Sequence, residues 1–313
     1  MKCIISGATG FIGRQLCQQL ESRGDTVVAL SRRGATLASG KPTVPVDLAE
    51  CDPDVSLLQG ADVFFHLAGI AHQQAAGSAY TALNYRATLR LARLAQTAEI
   101  PCFVFLSSVK AMGPSDTSDA RVESAVSAPV DAYSLSKWQA ECALRDAFAG
   151  TAMSVAIVRP ALVYGPHVKG NLQALATAVR WGLPRLPQGG RRSMIALEDL
   201  VDLLCVIAEH PPSGVKTWIA CGADSYSTQE IYDLLRAALG KGRGVDWLPR
   251  WIWKLAANLL DGVLSRRAEP TYNKLFGWER YSNAAVITDT AWRPRIKLED
   301  VMQQLAATHG ANT

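Results

Sequence analysis

Through the first half of the chain, short apolar runs alternate with longer stretches of helical periodicity. Apolar runs lie near 2 to 6, 26 to 31, 43 to 46, 62 to 66, 102 to 107 and 153 to 158, and stretches such as Phe11 to Leu20 separate them with apolar residues at helical spacing. Strands and amphipathic helices in strict alternation predict an α/β fold with a parallel, doubly wound sheet. After Arg159-Pro160 the regularity breaks into Gly-, Pro- and charge-containing loops through Gly190, and a mixed region follows to the C-terminus. One later run, Val215 to Ala220, reads as a strand that returns to the main sheet. Ser227-Thr228-Gln229-Glu230 reads as a helix N-cap, because Ser or Thr followed three residues later by Glu satisfies free N–H groups at a helix start.

Two motifs carry chemistry. The first, Ser6-Gly7-Ala8-Thr9-Gly10-Phe11-Ile12-Gly13, follows the apolar run Cys3-Ile4-Ile5 and opens a helical stretch. At such a strand-to-helix turn Gly7 permits the tight turn, Gly10 lets backbone approach a pyrophosphate and Gly13 lets the helix pack close to the sheet. The second is Tyr133-Ser134-Leu135-Ser136-Lys137, a phenol and an ammonium at i and i+4 on one helix face. A nearby cation lowers a phenol pKa and suits it to proton transfer near neutral pH. Tyr-x-x-x-Lys alone is common on exposed helices. Here Ser107-Ser108 ends an apolar strand, where parallel sheets bind ligands.

With these motifs the chain resembles the extended short-chain dehydrogenase/reductase family of nucleotide-sugar epimerases, dehydratases and reductases. Further matches are Asp47-Leu48, His66-Leu67-Ala68-Gly69, Asn84, Arg159-Pro160 and Val163-Tyr164-Gly165-Pro166. The resemblance implies a Rossmann-type domain over 1–165 that carries the Ser/Tyr/Lys set. Residues 166–313 would be mainly a small C-terminal substrate lobe, with some segments returning to the first domain. It implies that Ser108 and Tyr133 hydrogen-bond the reacting oxygen and that Lys137 holds the nicotinamide ribose. Cofactor contacts are expected from Gly7, Thr9, Gly10, Phe11, Ile12, Gly13, Ser31, Arg32, Arg33, Asp47, Leu48, Leu67, Ala68, Gly69, Asn84, Ser107, Tyr133, Lys137 and Pro160. The plainer readings are a loop carboxylate for Asp47 and a capping or surface amide for Asn84.

Two departures narrow the choice. NAD enzymes of this fold carry an acid after the second strand, whereas this chain has Ser31-Arg32-Arg33, a set that suits a 2'-phosphate. NADP(H) is therefore expected in preference to NAD(H); the plainer reading is two solvated loop arginines. After Ser108, dehydratases carry Asp-Glu, and Val109-Lys110 cannot perform that elimination. Within the family the chain resembles bacterial reductases and epimerases of UDP-4-keto-6-deoxy-N-acetylhexosamines in O-antigen (UDP-QuiNAc, UDP-FucNAc) pathways. That likeness rests on Ser107-Ser108-Val109-Lys110, on Tyr164 to Asn171, and on Arg192-Ser193 and Asp199-Leu200-Val201-Asp202. It implies that Asn171 and Arg192, with Ser108 and Tyr133, bind a UDP-sugar; otherwise Arg192 is a surface charge. The expected reaction is NADPH-dependent reduction of the C4 ketone. The alternatives are a UDP-hexose or UDP-N-acetylhexosamine 4-epimerase with bound NAD, and a reductase of a non-sugar ketone. A dinucleotide-binding sensor without catalysis is disfavoured by the complete Ser/Tyr/Lys set.

Composition agrees with an enzyme built on one large core. The 313 residues are 49% hydrophobic, and the net charge is a mild +4 with Lys and Arg scattered, so no nucleic-acid surface is expected. Seven cysteines lack metal-ligand spacing and read as buried free thiols in a reducing compartment, and no metal site is expected. Met1-Lys2 runs directly into the first strand, so a cytoplasmic protein is expected. The Trp-rich segment 247–264 is too short and too charged to span the ~20 apolar residues of a bilayer. It reads as a helix packed on its own lobe, with peripheral membrane or partner contact as the second reading. The family resemblance also implies a homodimer.

Overall fold

The computed structural model describes all residues except 72–75, 116, 167, 169–170, 246–247, 264–270 and 309–313; of 171, 263 and 305–308 only the backbone is described. The described strands are β1 (Lys2–Ser6), β2 (Thr26–Ser31), β3 (Val44–Pro45), β4 (Val63–His66), β5 (Cys102–Leu106), β6 (Ser154–Pro160), β7 (Leu162–Tyr164), β8 (Arg191–Ala196), β9 (Val215–Ala220) and β10 (Ser225–Ser227). The helices are α1 (Phe11–Ser22), α2 (Val55–Leu58), α3 (Gly77–Tyr80), α4 (Thr88–Thr97), α5 (Ala132–Phe148) and α6 (Asn171–Arg180). They continue with α7 (Leu197–Glu209), α8 (Thr228–Ala238), α9 (Arg250–Val263), α10 (Thr271–Phe276), α11 (Ala284–Thr290) and α12 (Leu298–Thr308). A π-helical segment, Thr81–Ala87, joins α3 to α4.

Seven strands form one sheet in the order β3-β2-β1-β4-β5-β6-β9. Every pairing in it is parallel. The run Val215 to Ala220 does return to the main sheet, where it pairs with β6 from Val155↔Val215 to Pro160↔Ala220.

Side-chain alternation splits the core in two. Cys3, Ile5, Val63, Phe65, Cys102, Val104, Ala156 and Val158 enter one buried cluster with α1 and α7. Their neighbours Ile4, Phe64, Phe103, Phe105, Val155 and Ile157 enter the other with α4 and α5. A strand buried on both faces reads as a continuous apolar run, since successive side chains point to opposite sides.

A small sheet, β10-β8-β7, opens the second half. Around it Tyr164, Leu172, Met194, Tyr226, Tyr232, Leu298 and Met302 form a separate core with α6, α8 and α12. Helix α8 starts at the predicted cap: Ser227 accepts from the Glu230 N–H while the Glu230 carboxylate accepts from the Ser227 N–H. Of the seven cysteines, all free, Cys3, Cys17, Cys102, Cys205 and Cys221 are buried, as expected, but Cys142 is only half-buried and Cys51 is exposed in the loop after β3. Among the described residues no group of His, Cys, Asp and Glu could hold a metal ion. No described helix is long and apolar enough to cross a membrane.

Candidate active site

The glycine turn joins β1 to α1. Gly7 has φ +73°, and a Cβ there would meet the Ala68 nitrogen at 2.7 Å. A Cβ on Gly13 would stand 2.2 Å from the Gly7 carbonyl oxygen, so this helix can approach the turn only with glycine at that position. Gly10 is the N-cap of α1, and no side chain caps the helix. The first-turn N–H groups therefore face the end of the sheet without a protein side chain on them, a cradle that suits a dinucleotide diphosphate. Thr9, Phe11 and Ile12 flank it, each half-buried.

At the end of β2, Ser31 is buried and its hydroxyl pairs with the Thr43 hydroxyl at 2.7 Å, while Arg32 and Arg33 are exposed. No acid occupies 31–35. Asp47 is half-buried and folds its Oδ1 onto the Ala49 N–H at 3.1 Å; Leu48 is buried against the sheet. Beyond β4, Leu67 and Ala68 are half-buried and Gly69 is exposed beside Asn84 and Lys137. Pro160 ends β6 and is buried.

Asn84 is neither a cap nor a surface amide. It is fully buried, donates to the Ile70 carbonyl at 3.0 Å and to Ser136 Oγ at 3.1 Å, and accepts from the Ile70 N–H at 2.8 Å. Its amide groups thus pin the loop after β4 to α5. His66, also fully buried, lies between Ser6 (2.7 Å) and Thr88 (2.9 Å), and burial drops its pKa to about 3, so it is a neutral structural group.

The reactive set gathers at the C-terminal end of β5. Ser108 caps the short turn Val109–Met112 by accepting from the Lys110 N–H at 3.2 Å, and it shares a side-chain hydrogen bond with Tyr133. Asp131 caps α5 through the Ser134 N–H (2.9 Å) and hydroxyl (2.6 Å), which fixes the first turn that carries Tyr133. Tyr80 packs edge-on against the Tyr133 ring, with centroids 6.3 Å apart.

The i, i+4 spacing does place Tyr133 and Lys137 on one side of α5, but the electrostatics differ from expectation. Desolvation raises the Tyr133 pKa, against lowering by the Ser108 hydrogen bond and by the Lys110 ammonium. The Lys137 ammonium is engaged by the protein itself. It is buried, donates to the Leu106 carbonyl at 2.8 Å and lies 4.6 Å from the Phe105 ring centroid. Burial itself depresses Lys137 to about 8, with Glu141 opposing.

Glu141, one turn beyond Lys137 and fully buried, is a residue that sequence reading passed over. It accepts from Ser107 Oγ at 2.5 Å and takes a forked pair of bonds from Arg159, 2.9 Å from Nε and 2.6 Å from Nη2. The fork locks α5, β5 and β6 together behind the Ser/Tyr/Lys set. The signal available in the sequence was an arginine inside the apolar run of β6.

On β8, Arg192 is buried rather than a surface charge. Its guanidinium donates to the Lys274 carbonyl and stands 3.9 Å from Glu279, and its Nε is buried with no hydrogen-bond partner among the described residues. Glu279 also pairs with Lys110, 169 residues away. Burial opposes its charge, yet Lys110, Arg192 and Lys274 hold its carboxyl below the usual range. Asn171 begins α6, but its side chain lies outside the described residues.

The chain is 29% identical to a UDP-glucose 4-epimerase of Vibrio cholerae, over 97% of this chain and 94% of the relative. It is 30% identical to a ceramide reductase of Caulobacter vibrioides, over 93% and 85%. The fold is similar to that of MoeE5 in complex with UDP-glucose and NAD, with a TM-score of 0.78 at 22% identity and 98% of each chain covered. The model of the NAD dependent epimerase/dehydratase family matches residues 3–221, and this chain, with its glycine turn and its Ser108, Tyr133 and Lys137 at the C-terminal end of the sheet, belongs to that family.

Proposed function

We propose that the protein is an NADPH-dependent reductase of the C4 ketone of a UDP-linked 4-keto-6-deoxy-N-acetylhexosamine. The observation that carries the reading is the pair of exposed arginines, Arg32 and Arg33, in place of an acid at the end of β2, next to a complete Ser108/Tyr133/Lys137 set. An acid there would repel a 2'-phosphate, whereas guanidinium groups form charge-assisted hydrogen bonds with it.

The glycine cradle of Gly7, Gly10 and Gly13 would hold NADPH, which when bound would supply the hydride for the ketone carbon. Tyr133 donates its proton to the carbonyl oxygen, and its raised pKa keeps that proton in place near neutral pH. Ser108 donates a second hydrogen bond to the same oxygen and stabilises the developing charge. Lys137, whose pKa burial lowers to about 8, stays mainly charged near neutral pH, orients the ribose and supports the return of a proton to the phenol. Arg192 offers its unpartnered Nε to the diphosphate. Val109 is buried and Lys110 is paired with Glu279, so neither serves as the acid and base of a dehydration.

The second reading is a UDP-hexose or UDP-N-acetylhexosamine 4-epimerase, favoured by the Vibrio relative and by the NAD in the MoeE5 complex. The third, reduction of a non-sugar ketone, is favoured by the ceramide reductase. Absorbance of the reduced nicotinamide, followed with the 4-keto sugar nucleotide and either NADPH or NADH, separates them. Faster oxidation of NADPH supports the proposal. NAD that co-purifies with the protein, with sugar interconversion and no net oxidation, supports the epimerase; oxidation only with a lipophilic ketone supports the third.

A further inference from the structure

Helix α9 presents an apolar stripe to solvent. Trp251, Leu255 and Leu259, at i, i+4 and i+8, are 66%, 52% and 63% exposed, and Leu260 is 44% exposed. The opposite face, with Trp253 and the buried Ala257, turns toward the lobe, where α10 packs against the helix and Asp261 accepts from the Thr271 N–H at 2.8 Å. Two more exposed apolar residues lie on the chain at the end of α6 and on the chain that leads into α9. Trp181 is 85% exposed next to Arg180, whose carbonyl accepts from Lys241, and Val245 is 71% exposed and accepts from the Arg185 N–H.

The charge is less scattered than it first reads. Segment 241–267 holds Lys241, Arg243, Arg250, Lys254, Arg266 and Arg267 against Asp246 and Asp261, a net +4 that equals the net charge of the whole chain. The remaining residues balance. Among the described residues, Arg250 and Lys254 lie on α9 itself and Lys241 and Arg243 are exposed just before it.

We infer that α9 is an interfacial helix that lays Trp251, Leu255 and Leu259 into the surface of an anionic bilayer and keeps the nucleotide-binding half in water. Its apolar side chains enter the headgroup boundary and its basic neighbours meet lipid phosphates, the two terms on which surface helices bind. A second copy of the chain is a poorer occupant. A symmetric contact would set two such cationic segments against each other, and the stripe is small beside the ~800 Å² per partner of a stable interface. The inference does not depend on the identity of the substrate.

The test is flotation of the full-length protein with vesicles of phosphatidylethanolamine and phosphatidylglycerol, against vesicles of phosphatidylcholine alone. Expected is co-flotation with the anionic vesicles, a several-fold loss in high salt, and a loss of tenfold or more for the combined variant Trp251→Ser, Leu255→Ser, Leu259→Ser. That variant should keep the wild-type circular dichroism and the wild-type protection of NADPH-binding residues in hydrogen exchange. A second variant, Lys254→Glu, keeps the stripe and should float several-fold less. Failure of the wild-type protein to float at low salt overturns the inference. So does equal flotation of the triple variant, or a wild-type dimer that the triple variant turns into monomer while vesicles stay bare.

Discussion

Helices α5 and α9 break the rule of apolar inside and polar outside in opposite directions. Helix α5 buries Ser134, Ser136, Lys137 and Glu141, while α9 exposes a tryptophan and three leucines. Buried polar groups cost free energy unless each finds a partner, and each of these does: Ser134 on Asp131, Ser136 on Asn84 and the Tyr133 carbonyl, Lys137 on Leu106, and Glu141 on Arg159 and Ser107. A helix that hides polar groups in a complete network is built to hold a site rigid. One that shows apolar groups to water is built to meet another surface.

The comparison can be broken first at Tyr133, the residue of α5 whose hydroxyl shares a hydrogen bond with Ser108. Tyr133→Phe should lower turnover by about 10²–10⁴-fold, the usual contribution of a positioned acid, with NADPH binding retained in a fluorescence titration. Near wild-type turnover would remove Tyr133 from the reaction. Next comes the network behind it. Glu141→Gln leaves the Arg159 guanidinium buried without its carboxylate and should cost about 3–5 kcal/mol in urea unfolding. Adding Arg159→Met should recover part of that loss, because the stranded charge is then gone.

At the cofactor end of the same half, Arg32→Glu with Arg33→Glu should reverse the preference for NADPH over NADH. Each charge-assisted bond lost is worth about 1.5–3 kcal/mol, read as the ratio of kcat/KM for the two cofactors. A subtler effect comes from Lys137, whose folded pKa of about 8 lies below its ordinary 10.5. Between those values the unfolded chain binds more protons, so the Lys137 contribution makes stability rise with pH across that window and stay unfavourable below it. Lys137→Met removes this slope, and the stability difference between wild type and variant should shift toward wild type as pH rises from about 8 to 10.5. An unchanged difference would place the Lys137 ammonium in water. The smallest effect belongs to α9: the three serine substitutions at 251, 255 and 259 should each change stability by no more than about 0.5 kcal/mol, since none removes a buried contact. A larger loss would mean that the stripe packs on the protein itself.

Much of the fold was legible because it is local. The apolar runs ended within a few residues of β1, β2, β4, β5 and β6, and the Ser227–Glu230 cap formed as read, since periodicity and capping depend on near neighbours in the chain. The glycine turn was legible for the same reason: Gly7 and Gly13 answer to contacts within the strand-turn-helix unit and with Ala68 on the adjoining strand end. Asn84 was singled out in the sequence for a cofactor contact, and its hydrogen bonds to Ile70 and Ser136 join the loop after β4 to α5. The sequence could not show which polar partner would lie across from it.

The residues alone determined the parallel sheet, the glycine turn and the spacing of Ser108, Tyr133 and Lys137, because strand alternation, glycine sterics and helical spacing act over a few residues. Only the tertiary structure decided which charges meet. It set Lys137 on the Leu106 carbonyl, brought Lys110 to Glu279, and closed Arg159 on Glu141. Electrostatic partners are chosen by distance and burial in space, and those follow from the path of the whole chain.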